Sequence, residues 1–152
     1  LISGGSSVGC EDYVPHLIAQ YGKLGIHGIR IRPGSPIGIG TIENRPIFLL
    51  PGNPVACLCG YDFFAGRAIR KLNGRGINLP YHQHQLPLGE VLHSIEGRTD
   101  FVRVRIVGDS VIKSKQQGSS MLFSAVQSDG FIIIPEGAKS LSAGETVTVY
   151  CY

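Results

Sequence analysis

Apolar residues recur at two different spacings along this chain, and the spacing changes near residue 75. Before that point Val14, Leu17, Ile18 and Tyr21 repeat at helical intervals. They predict a helix over residues 12–21, stopped by Gly22. Pro15 is compatible with it because a first-turn proline gives up an N–H that has no helical partner. From residue 25 to 32 the pattern alternates, imperfectly, with Ile26, Ile29 and Ile31 against His27, Arg30 and Arg32, and predicts a strand. Pro33-Gly34-Ser35-Pro36 then forces a loop. Residues 37–42 and 46–50 flank Glu43-Asn44-Arg45 as the arms of a hairpin. The longest helical pattern covers residues 54–72, with Val55, Leu58, Cys59, Phe63, Ile69 and Leu72 as its apolar positions and Asn73-Gly74 as its stop.

After Gly74 long helical periodicity disappears. Residues 76–80 read as a linker. Strand-like runs follow over 83–88, 101–107, 111–114, 130–135 and 146–152, separated by turns such as Gly108-Asp109-Ser110. The expected organisation is an α/β region over residues 1–74, then a small all-β region over 75–152, a barrel or a sandwich.

Composition narrows this picture. A chain of 152 residues accommodates one domain or two small ones, and 43% apolar with 16% charged residues argues against disorder. Its 21 glycines are about twice the usual share, which calls for many turns and close backbone approaches. No apolar run is long enough to predict a membrane span. The first residue is Leu1, not Met, so we expect a fragment or a processed product. Cys10, Cys57, Cys59 and Cys151 form no Cys-x-x-Cys pair and no zinc spacing. Cys57 and Cys59 read as core filler in a reducing, cytoplasmic protein. Residues 1–74 hold seven Lys/Arg and four Asp/Glu, whereas residues 75–152 hold seven of each. The whole excess of +3 thus lies in the first half. It suits a small anionic ligand and is too weak for a nucleic-acid partner.

Several loops carry candidate chemistry. In Leu50-Pro51-Gly52-Asn53-Pro54-Val55, Pro51-Gly52 reads as a turn, Asn53 as a side-chain helix cap and Pro54 as the first helical residue. Free N–H groups at such a helix start favour an anion. Ser3-Gly4-Gly5-Ser6-Ser7-Val8-Gly9 follows one strand and precedes a helix. Its glycines admit close approach of a ligand, and Ser3, Ser6 and Ser7 add hydroxyls. Neither the Walker A nor the Gly-x-Gly-x-x-Gly pattern is met. Asp12 fits both a first-turn acid and a carboxylate that holds Mg²⁺ beside phosphate. Arg32 offers a planar fork for an oxyanion just before the Pro33-Gly34 turn, and Arg30 shares its strand face. Arg103 and Arg105 share another strand face, and Gly118-Ser119-Ser120-Met121 is a second glycine-serine loop. His82-Gln83-His84 matches a surface placement better than a metal site.

The order Ser-Gly-Gly-x-Ser-x-Gly-x-x-Asp-Tyr (residues 3–13), Arg-Pro-Gly-x-Pro (32–36) and Leu-Pro-Gly-Asn-Pro-Val (50–55) resembles the molybdopterin molybdenumtransferase (MoeA) family. Residues 97–103, 118–122 and 129–137 extend the resemblance over nearly the whole chain. It implies the end of a three-layer, pterin-binding α/β domain followed by a small all-β, barrel-like domain. It also implies insertion of molybdenum from molybdate into adenylylated molybdopterin, with release of AMP and use of Mg²⁺. By the same resemblance Gly4, Gly5 and Ser7 map to the pterin and phosphate loop. Asp12 maps to the acid that handles metal or nucleotide, and Arg32, with Pro33 and Gly34, replaces a lysine before Pro-Gly. Pro51, Gly52, Asn53 and Pro54 map to the cleft edge, and Arg103 and Ser119 to molybdate contacts. A homodimer is implied for the full-length protein, with a small-molecule substrate and no nucleic acid or membrane partner. Gly28 and Ala56 depart from the family pattern, and point to the alternative of a catalytically weak pterin- or molybdate-binding module or scaffold fragment. The loops are expected to meet in one oxyanion cradle.

Overall fold

The computed structural model describes residues 2–5, 13–114 and 126–152. Its elements are β1 (Ile2–Ser3), α1 (Val14–Tyr21), β2 (Lys23–His27), β3 (Ile31–Arg32), β4 (Gly38–Ile42), β5 (Arg45–Leu50), α2 (Pro54–Gly60), a π-helical turn (Tyr61–Ala65) and α3 (Gly66–Leu72). Then come β6 (His82–Pro87), β7 (Leu92–His93), β8 (Thr99–Val107), β9 (Ser110–Lys113), β10 (Gly130–Ile134), β11 (Ser140–Leu141) and β12 (Thr146–Cys151). They form two compact units, residues 1–29 with 34–79, and residues 30–33 with 80–152. Among the described residues no helix is long and apolar enough to cross a membrane.

The first unit holds a four-stranded sheet in the order β1-β5-β4-β2. Strand β1 runs parallel to β5, and β4 runs antiparallel to both of its neighbours. The predicted hairpin is β4–β5. Glu43 and Asn44 form its two-residue turn, both with positive φ (49° and 61°), which matches the right-handed twist of the arms.

The single strand expected over residues 25–32 is instead two strands in two sheets. Gly28 takes φ 90° and donates to the Ile37 carbonyl at 2.9 Å, while Ile29 N donates to Ser35 O at 2.8 Å. The chain therefore turns at Gly28, and β3 pairs in the second unit. An alternating pattern counted through a glycine could not reveal that break.

Helix α1 begins at Val14, and it buries Pro15 and Ile18, whereas Leu17 and Tyr21 are exposed. The long helix predicted over residues 54–72 is present, interrupted by the π turn. There the Gly66 N–H reaches Tyr61 O, and a Cβ at Gly66 would meet the Tyr61 ring at 3.0 Å, so glycine makes room for that ring. The buried side is built from Val55, Ala56, Cys59 and Ala65, and the predicted Leu58, Ile69 and Leu72 face solvent. At the helix end Gly74 has φ 68°. Its N–H donates to Lys71 O (3.0 Å) and Arg75 N donates to Arg70 O (2.8 Å), the paired bonds of a Schellman cap.

The second unit is mostly one sheet in the order β3-β8-β10-β12-β6, with β9 also paired to β8. All five predicted strands are present. The β7–β11 pair, two residues on each side, is too short to show a period. Val102, Val104, Ile132, Ile134, Val147 and Val149 make the core with Leu88, Leu92 and Val111. On the opposite face Phe131 stacks on Phe101 (3.9 Å between centroids) and on Tyr150 (5.0 Å). The barrel-like closure is not present as a ladder among the described residues. A lone Leu88–Val111 bridge and a Gly89 N to Val111 O bond (2.8 Å) join the β6 end to β9.

Candidate anion-binding site

In the first unit two glycine loops leave the carboxyl ends of neighbouring parallel strands. The pairing Ile2–Leu49 and Ser3–Leu50 continues one residue further, with Gly4 N donating to Leu50 O at 3.1 Å. Beyond it Gly4 (φ 89°) and Gly5 (φ 60°) adopt conformations that disfavour other residues. The β5 loop turns at buried Pro51 and exposed Gly52, and a Cβ at Gly52 would lie 3.4 Å from Gly4 Cα. Ser3 Oγ lies 3.5 Å from both Pro51 O and Cys57 Sγ. The two backbones are thus in contact at the strand ends, where open α/β sheets place their ligands.

Asn53 precedes α2 in an extended conformation (φ −65°, ψ 123°), and Pro54 opens the helix. The Asn53 carbonyl accepts from Cys57 N at 2.8 Å. Its side chain makes no capping hydrogen bond, contrary to the expected cap. Asp12, Ser7 and Ser119, all named from the sequence, lie outside the described residues.

Arg32 and Pro33 belong to the second unit, not to the first, and Gly34 (φ 120°) returns to the first. Strand β3 pairs parallel with β8 through Ile31–Thr99 and Arg32–Asp100. Arg32 Nη2 lies 3.6 Å from Asp100 Oδ2. The alternation puts Arg30 on the same strand face as Arg32. Arg30 takes its own acid, Glu136, at 3.6 Å. The sequence-predicted residues therefore divide. The structure brings Gly4 against Gly52, with Gly5 and with Pro51, Asn53 and Pro54 adjoining them along the two loops, and sets Arg32 beside Asp100.

Arg103 lies in the middle of β8 opposite Phe131, and is 2% exposed. Arg105, two residues on, is exposed. Alternation alone put both on one face and could not tell them apart. The Arg103 carbonyl accepts from Ser114 N at 2.9 Å.

Asp100 is a site residue that no motif role singles out in the sequence. Its signal was present, because Asp100, Val102 and Val104 alternate onto one strand face and that face is the core. Arg98 Nε donates to Asp100 Oδ1 at 2.8 Å and Ser94 Oγ donates to Oδ2 at 3.1 Å. Among the described residues no group of three or more His, Cys, Asp or Glu is arranged to hold a metal ion, and Asp12, the residue expected beside Mg²⁺, lies outside them.

Two family models match the chain, "Probable molybdopterin binding domain" over residues 1–71 and "MoeA C-terminal region (domain IV)" over residues 85–152. The chain is similar to a Methanocaldococcus jannaschii protein named for molybdopterin biosynthesis, with 37% identity over 99% of this chain and 35% of that protein. It is similar to the molybdopterin molybdenumtransferase of Haemophilus influenzae, with 34% identity over 98% of this chain and 38% of that protein. A solved structure of the MoeA molybdopterin biosynthesis protein of Pyrococcus horikoshii aligns with TM-score 0.78 at 33% identity, over 99% of this chain and 36% of that one. The chain thus spans a little over a third of the length of these relatives.

Proposed function

The chain belongs to the molybdopterin molybdenumtransferase (MoeA) family, whose C-terminal portion it matches, and we propose that it takes part in inserting molybdenum into adenylylated molybdopterin with release of AMP. The observation that carries this reading is the contact of the Gly4 and Gly52 loops at the ends of β1 and β5. Two backbones without side chains leave room for a phosphate-bearing ligand to approach the loops closely. In this reading Gly4, Gly5 and Ser7 hold the pterin phosphate, and Pro51, Gly52, Asn53 and Pro54 form the rim beside it. Arg32, ahead of Pro33-Gly34, neutralises an oxyanion of the substrate, and Arg103 and Ser119 serve molybdate. Asp12 acts on the nucleotide end. Molybdate and adenylylated molybdopterin enter as substrates. The homodimer of the full-length protein and a cytoplasmic location belong to the same reading.

A second reading, a pterin-binding module without turnover, draws on Gly28. Its left-handed backbone makes the turn out of β2, and it offers no side chain to a ligand. Molybdate-dependent AMP release, followed in a single turnover by the 152-residue chain, separates the two. We expect slow but measurable release. Binding of adenylylated molybdopterin without release favours the module, and absence of binding refutes both.

A further inference from the structure

Asp100 is 1% exposed, the most deeply buried charged residue among those described. One carboxylate here serves two guanidiniums. Arg98 takes the larger share, with Nε 2.8 Å from Oδ1 and Nη2 3.4 Å from Oδ2. Ser94 Oγ occupies Oδ2 at 3.1 Å, and Arg32 Nη2 stands off the same oxygen at 3.6 Å. Two cations against one anion leave a surplus of one positive charge. The Arg32 side chain is 57% exposed and that of Arg98 24%, so the surplus reaches solvent chiefly through Arg32.

The backbone delivers Arg32 to this place with little else to hold it. Strand β3 is two residues long, tied to β8 by its ladder and by the Thr99 N to Arg30 O bond at 2.9 Å. The neighbouring Arg30–Glu136 pair is exposed on both sides, and such pairs hold side chains weakly. Among the described residues Asp100 is the one acid in ion-pair range of Arg32.

We infer that Asp100 is a positioning residue for Arg32. Its buried carboxylate holds the Nη2 end of the guanidinium by ion pairing and leaves the other N–H donors of this exposed side chain to a ligand, as a preformed subsite for a tetrahedral oxyanion. The inference rests on the proposed reading that Arg32 meets an anionic group of the substrate. It reverses the sign that charge counting alone gives. Removing a negative charge next to an anion site should tighten anion binding by simple Coulomb attraction. Removing a tether should weaken it, because an arginine side chain then gives up rotamer freedom on binding.

The test is Asp100→Asn in the 152-residue chain, with two readouts. Side-chain NMR of the Arg32 Nε–H reports its order without any ligand, and calorimetry with molybdate alone reports affinity. We expect the Arg32 signal to change from ordered to freely averaging, and molybdate to bind at least about threefold more weakly. An unchanged Arg32 signal overturns the inference, and so does equal or tighter molybdate binding by the variant. Arg32 loosening in a chain that takes up no molybdate even as wild type leaves the positioning role standing and refutes the reading of Arg32 as a substrate contact. Should Asp100→Asn fail to fold, Arg98→Gln serves in its place. It leaves Asp100 charged with Arg32 as its remaining cation, so Arg32 should become more ordered, and unchanged or lower order overturns the inference.

Discussion

Gly52→Ala separates ligand binding from folding in the first unit. Gly52 is not one of the left-handed glycines, so alanine brings no backbone strain there. The added methyl would sit 3.4 Å from Gly4 Cα and 3.9 Å from Gly4 N, ordinary van der Waals distances. Alanine also restricts the unfolded chain, which contributes about 0.4–1 kcal/mol of stability. The variant should therefore melt at the wild-type temperature or up to about 4 °C above it, given about 2–4 °C per kcal/mol for a chain of this size. Binding should respond in the opposite direction. The methyl fills the crook where the two backbones meet, and a ligand seated against the Gly52 backbone loses that approach. A displaced hydrogen-bonded phosphate corresponds to about 1.5–3 kcal/mol, or about 10–150-fold in affinity. Thermal melting with calorimetry on adenylylated molybdopterin measures both quantities. Wild-type affinity in a chain of unchanged stability would refute the cradle. Gly4→Ala is the contrast. At φ 89° it should cost about 1–2 kcal/mol in folding even though nothing lies within 4 Å of the new methyl.

Three further outcomes follow from the packing. Phe131→Leu keeps most of the buried volume and loses the stacks on Phe101 and Tyr150, so urea denaturation should show a loss of about 1–2 kcal/mol. A loss below about 0.5 kcal/mol would show that the stacks add nothing beyond area. Glu43→Asn puts a residue suited to positive φ into the β4–β5 turn and should raise stability by about 0.5–1 kcal/mol, read from the denaturation midpoint. Burial first, and the Asp129 carboxylate second, push the Cys151 thiol upward. Iodoacetamide should label it more slowly than a free thiol at mildly alkaline pH, and Asp129→Asn should speed labelling. Because the folded thiol keeps its proton to higher pH than the unfolded one, this contribution to stability holds below the unfolded range and is lost as pH rises through the folded value.

Elements were legible wherever a local period ran uninterrupted. The 54–72 helix, the β4–β5 hairpin and the five strands of the second unit each declare themselves in their own residues, as does the Asn73-Gly74 stop. Local rules failed at junctions. The alternation over residues 25–32 concealed the turn at Gly28, and Leu17, Leu58 and Leu72 satisfied helical spacing yet face solvent. Periodicity reports that one side of a helix is apolar. It does not say which part of that side meets a sheet.

The candidate site divides along the same line. By itself the sequence determined the chemistry on offer: two glycine loops, an arginine before a rigid turn, and a motif order that resembles the molybdopterin molybdenumtransferase family. Those are properties of neighbouring residues, set by side-chain type and backbone freedom. Only the tertiary structure decided that Gly4 and Gly52 touch, that Arg32 joins the second unit, and that it meets Asp100 there. Each of those facts is a pairing between segments some 50 to 70 positions apart. Strand pairing and burial of a shared core select such contacts, and no local pattern encodes them.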